Sequence, residues 1–297
     1  MSVADSIAIA RAQLAGATLA GPTVAVVSAA LASGPGFSQL VTDVRAGGGE
    51  IILSGDGGPT EILTLVRDHA IDHIVTCDPI GFADELPLTI RGLAATAALD
   101  GIGVERYLTH GAPLTTVVLD RTQARGPLLI DLRDRLTAMD LSARHQRQAA
   151  LIADELLTNA IYDAPDGPDL SSHDHARVAD RPLLGRERPR LRWGGDGRLL
   201  AIEVTDRFGS LDARTVRTYI AKLLDRSTVP RQGHGGAGLG LAMTFLATSQ
   251  LVFHLDRGRV TQAIGIIDLR PRPDGGHPRV PSLHVFTATS ATQEPHG

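Results

Sequence analysis

Three separated stretches of this 297-residue chain carry residue types able to handle phosphate, metal and base. The run Gly233-His234-Gly235-Gly236-Ala237-Gly238-Leu239-Gly240-Leu241 passes directly into apolar Ala242 to Ala247. Glycines let a backbone take φ > 0 and approach a ligand closely, and the first amides of a following helix point outward unpaired. Such a loop cradles a polyphosphate. Upstream, Glu155 and Asn159 stand four apart in Leu151–Ile161, where Leu151, Ile152, Leu156 and Ala160 recur at helical spacing. Four residues apart on a helix is one face, one turn apart. A carboxylate and an amide oxygen so placed suit Mg²⁺ and can orient a water. Between these two stretches, Leu199–Ser210 reads as a buried strand that ends at Asp206, with Gly209 in the turn beyond. An Asp fixed there can accept a hydrogen bond from the amino group of a base.

In this order the three stretches resemble the motifs of the Bergerat-fold (GHKL) ATP-binding superfamily. That superfamily includes gyrase-type ATPases, the heat-shock chaperone ATPase, histidine kinases and anti-sigma serine kinases. The resemblance covers about residues 135–269 and lies nearest the anti-sigma serine-kinase type. It implies that Asn159 ligates Mg²⁺ and that Glu155 assists a nucleophile. It implies that Asp206 contacts the adenine amino group, with Gly209 in the turn. Gly236, Gly238, Leu239 and Gly240 would line the ATP phosphates beneath a lid over about 221–236. The Asp motif departs from the usual Asp-x-Gly-x-Gly, reading Asp206-Arg207-Phe208-Gly209-Ser210. Larger residues there either narrow the base pocket or shift the turn onto Gly209. Many members also carry a basic residue three or four positions after the Asn, where this chain has Tyr162 and Asp163.

Composition frames these readings. A hydrophobic fraction of 43% is ample for a core, while aromatics at 3% leave that core to Ala, Val, Leu and Ile. The net charge of −4 argues against broad nucleic-acid binding. The single Cys77 excludes an internal disulfide and a multi-cysteine zinc site, which suits a reducing cytosol. No apolar run of spanning length and no signal-peptide pattern is present, so the expected setting is cytoplasmic, with no membrane.

The elements that must position the motifs fall into two units, residues 1–125 and 126–297. In the first, Pro22–Ser28, Glu50–Leu53, Ile71–Cys77 and Leu114–Leu119 read as strands. Helical spacing covers Phe37–Ala46, stopped by Gly47-Gly48-Gly49, then Pro59 to about Ala70, and Leu86–Leu99. This alternation predicts a parallel α/β sheet. Its order and size resemble a response-regulator receiver domain. Ser28-Ala29-Ala30 replace the acidic pair such a domain needs for Mg²⁺. Asp78 stands at the phosphoacceptor position without those companions and reads as a loop cap. The unit is expected to be a pseudo-receiver that serves docking or dimerisation.

Gly126-Pro127 marks the break within the linker 120–127, and Leu128 to about Ala160 is helical, interrupted near Asp140–Ser142. Two hairpins follow, 190–205 and 252–269, and Leu283–Phe286 adds an edge strand. The C-terminal unit is thus an α+β sandwich, a mixed sheet with helices on one face. His145 lies in a polar Arg-rich run and reads as a solvated helix face, and His173-Asp174-His175 as a solvated turn.

The functional expectation is an ATP-binding signalling protein acting on an unidentified protein partner. Two forms remain open: an anti-sigma-type serine kinase, and a switch in which ATP orders the lid with slow or absent turnover. A gyrase-like ATPase fits less well.

Overall fold

The computed structural model describes residues 23–55, 57–76, 79–94, 103–165, 180–224, 239–270 and 280–288. The chain is α/β. Its nine strands form one mixed sheet: β1 (Val24–Ser28), β2 (Glu50–Ser54), β3 (His73–Val75), β4 (Leu114–Val118), β5 (Arg190–Gly195), β6 (Leu199–Asp206), β7 (Gln250–Asp256), β8 (Val260–Asp268) and β9 (Ser282–Thr287), in the order β1-β2-β3-β9-β7-β8-β6-β5-β4. Eight α-helices lie among the described residues: α1 (Ala29–Ala32), α2 (Phe37–Ala46), α3 (Pro59–His69), α4 (Pro79–Ala94), α5 (Arg125–Ala138), α6 (Ala143–Thr158), α7 (Ala213–Ala221) and α8 (Leu239–Ala247). None is long and apolar enough to cross a membrane.

Strands β1, β2 and β3 run parallel, as the strand–helix alternation predicts. The hairpins β5–β6 and β7–β8 are antiparallel, with Gly197 and Gly258 taking the left-handed turn positions. Three expectations are corrected. Residues 283–286 are not an edge: β9 lies between β3, antiparallel, and β7, parallel, because nearly every side chain in it is buried on both faces. Strand β4 does not join the parallel set but closes the far edge beside β5. Gly126-Pro127 is not a break but the first turn of α5, where a proline costs no helical hydrogen bond. The interruption near Asp140 is real, with Asp140 at φ 61 between α5 and α6. Helix α4 begins at Pro79, ahead of the expected Leu86. Asp78 and His173 to His175 lie outside the described residues.

One face of the sheet carries a continuous apolar core fed by α2, α3, α5, α6, α7 and α8. Helices are not confined to that face. The opposite face holds a smaller cluster, Val104, Leu108, Ala201, Val252, Ile264, Ile266 and Phe286, joined by Leu93 of α4 and Tyr107. Three buried histidines share this second layer. His284 Nε2 meets the buried carboxylate Oε1 of Glu85 at 2.6 Å. The His254 ring stacks on Phe286 at 4.9 Å, and His73 lies 5.0 Å from the same ring. Burial holds His254 down to about 3 and His73 well below the ordinary 6.5, with neighbouring charge adding to the effect.

Candidate functional site

Leu200, Ile202 and Val204 of β6 point into the helix-side core, so strand alternation places Asp206 on that same side. Asp206 is 6% exposed. Its Oδ1 accepts the amides of Phe208 at 2.8 Å and Gly209 at 3.2 Å, an Asx turn that ends the strand. Burial pushes its carboxyl up from 3.8, and those amides partly offset the rise. Gly209 has φ 59, and a Cβ there would lie 2.6 Å from the Arg259 amide nitrogen and 2.8 Å from that of Gly258. The Gly258 amide donates to the Gly209 carbonyl at 2.9 Å, which pins this turn to the β7–β8 turn. Gly209 therefore serves the turn in its own register, three residues after the Asp.

Sequence reasoning passed over Thr261. It is the register partner of Asp206 across β6–β8 and is buried. Its hydroxyl stands near enough to hold down the Asp206 pKa but makes no hydrogen bond of normal geometry. Only the pairing of the two strands reveals it.

Helix α6 starts at Ser142, whose hydroxyl caps the His145 amide at 3.3 Å. It packs on the sheet over Gly265, where a Cβ would come within 2.6 Å of Ile152. At Asn159 the α-helix widens into a π-turn, Asn159–Asp163, and the Asn159 carbonyl accepts the Ala164 amide at 2.8 Å. Single π-turns inside helices are rare and concentrate at functional sites. Among the described residues the half-buried Asn159 side chain forms no hydrogen bond. Tyr162 packs against the core, and its side chain offers no cationic group. Arg125 of α5 puts a guanidinium on the neighbouring stripe of α6, at 2.6 Å from Asp154 and 2.5 Å from Thr158 Oγ1.

Helix α8 begins at Leu239 and Gly240. A Cβ on Gly240 would overlap the Glu155 carboxylate, so the glycine admits that side chain against the helix start. Gln148 Nε2 donates to the Ala247 carbonyl at 3.0 Å and fixes the two helices together. Thus Glu155 and Gly240 meet where α6 and α8 pack together, with Asn159 one turn beyond Glu155 and Leu239 beside Gly240, while Asp206 and its strand partner Thr261 lie on the same side of the sheet. Gly236, Gly238 and most of the expected lid lie outside the described residues. No group of three or more His, Cys, Asp or Glu among the described residues forms a metal cage. The donors present are one amide and one carboxylate, which fits Mg²⁺ shared with phosphates rather than a protein-only site.

The chain matches no family model and no curated protein.

Proposed function

We propose that the chain is a cytoplasmic signalling protein that binds Mg·ATP on the helix side of the sheet, in a Bergerat-type arrangement. The observation that carries the reading is the seating of Glu155 against Gly240. Residues 85 positions apart in sequence, singled out by residue type and by the motif resemblance for nucleophile and phosphate handling, come into contact. The buried Asp206–Thr261 pair supports it as a base-reading group. In this reading Asn159, with Glu155 beside it, holds Mg²⁺, which would neutralise phosphate charge. Asp206 accepts from the adenine amino group, and Gly240 admits the Glu155 carboxylate beside the glycine-rich stretch that would line the phosphates. Residues 1–125 act as a docking unit without phosphoacceptor chemistry and residues 126–297 as the nucleotide unit, with β4 of the first pairing with β5 of the second.

A nucleotide-dependent switch fits better than an efficient kinase. Tyr162 is packed against the core and the Arg125 guanidinium is held by Asp154 and Thr158, so neither supplies a free cation beside Asn159 to a transferring phosphate. ATP would then act by ordering the lid and altering partner binding.

Calorimetry of the full chain with a non-hydrolysable ATP analogue tests this. Binding should be saturable, and Asn159→Ala should weaken it with Mg²⁺ present more than with metal chelated. An absence of binding at millimolar nucleotide would refute the reading.

A further inference from the structure

The second face of the sheet carries a site the nucleotide reading does not use. At its β4–β5–β6 corner lies a cavity of about 610 Å³ lined by Val118, Arg188, Arg190, Thr205, Arg207 and Arg259, among others. Register builds it: Val118 pairs with Arg190 and Arg190 with Thr205, a row across three strands. Arg207 follows Asp206 in sequence and projects from the outgoing turn. Arg259 comes from the β7–β8 turn. Arg186 lies over the Phe208 ring at 4.6 Å and holds the 185–188 segment against the site.

The charges around this hollow are only partly balanced by the described residues. Arg259 pairs with Asp256 at 2.7 Å. Arg190 reaches the buried Glu203 only at 3.4 Å, and that carboxylate also serves Arg192 at 3.6 Å and the Val104 amide at 2.8 Å. Arg188 and Arg207 meet no carboxylate among the described residues. Four guanidiniums around one concavity repel one another, in a chain whose net charge is −4. Guanidinium forks match phosphate oxygens in pairs. The volume falls in the range of about 300–1,000 Å³ usual for small-ligand sites. A carboxylate brings one charge, whereas a phosphate monoester brings roughly 1.5 to 2. Val118 and Val260 supply an apolar wall for an uncharged portion.

We infer that this pocket binds a small molecule bearing two phosphate groups, on the sheet face opposite the nucleotide motifs. Phosphate oxygens take the forks of Arg188 and Arg207 first, since neither meets a carboxylate among the described residues and Arg188 donates only its Nε, to the Leu119 carbonyl at 3.5 Å, and Thr205 and Arg190 line the floor. The site and the Asp206 turn share β6, and they stand on opposite sides of it.

The test is calorimetric titration of the full-length protein with inorganic pyrophosphate, without nucleotide. Saturable binding is expected. Arg188→Ala and Arg207→Ala should each weaken it roughly tenfold to a hundredfold, the worth of a hydrogen bond to a charged group. Chelating Mg²⁺ should leave it unchanged, which separates this pocket from the Mg²⁺-dependent nucleotide site. Circular dichroism of each variant should match the parent, which excludes unfolding as the cause. Pyrophosphate binding indifferent to both arginine changes would overturn the inference. So would citrate binding equally well through the same arginines, or a single-stranded oligonucleotide displacing pyrophosphate from them with higher affinity.

Discussion

Gly209→Ala and Gly258→Ala form a matched pair that isolates how the Asp206 turn is held. Both glycines have left-handed φ, 59 and 74. Forcing alanine into that region costs about 1–2 kcal/mol. At Gly258 nothing lies within 4 Å of a new Cβ, so that strain is the whole expected loss. At Gly209 the new Cβ meets only backbone, with the Gly258 nitrogen at 2.8 Å and the Arg259 nitrogen at 2.6 Å. Backbone cannot rotate aside as a side chain can, and overpacking of this kind costs a further ~1–3 kcal/mol. Gly209→Ala should therefore lose about 2–5 kcal/mol in all. With an unfolding entropy of about 2.1 cal/mol/K per residue, the 297-residue chain loses about 0.6 kcal/mol of stability per degree near its midpoint. The expected drops in Tm are then about 3–8 °C for Gly209→Ala and about 2–3 °C for Gly258→Ala. Differential scanning calorimetry measures both. Equal drops would show that the two turns do not press on each other, and the account of Gly209 would fall.

Two further outcomes follow from burial. The Asp206 carboxyl titrates above 3.8 in the folded chain, so the native state keeps its proton longer than the unfolded state does. Its contribution to stability is therefore lost as pH rises through that raised value. Asp206→Asn keeps the acceptor for the Phe208 and Gly209 amides, so it should gain on the parent in urea midpoint from about pH 3.8 toward neutrality; a constant offset would contradict this. His254 titrates near 3 when folded against 6.5 unfolded, so the stability from keeping it neutral is present above 6.5 and lost as pH falls toward 3. Each such histidine adds at most about 1.4 kcal/mol per pH unit to that loss. His254→Gln should flatten the acid limb of the stability curve by up to this slope, and an unchanged slope would remove His254 as its source.

Local signals made most elements legible. Helix α2 ends where its glycine stop predicts, and Pro59 opens α3, because caps and glycines act within a few residues. The pairing of strands was not legible in the same way. The β-branched, apolar run 114–119 reads as a strand whether it joins β1–β3 or β5, and only long-range packing decides it. The same limit hid Thr261 and the arginine corner, whose members come from four separate stretches. Glu155 and Gly240 were legible as residue types, but their contact depends on α6 and α8 packing side by side.

The position of β9 has a consequence for how the chain is made. Synthesis runs from the N-terminus, so β3 and β7 are both complete before residues 282–287 leave the ribosome. Until then each of these strands has an unpaired side facing water, a row of free amides and carbonyls of the kind that recruits other chains. The flanks waiting there include Leu251, Phe253 and Ile74, all fully or almost fully buried once the sheet is closed. Arrival of β9 pairs both rows in one step, antiparallel to β3 and parallel to β7. The newborn protein thus passes its most aggregation-prone interval late, and a short stretch of its last described residues ends it.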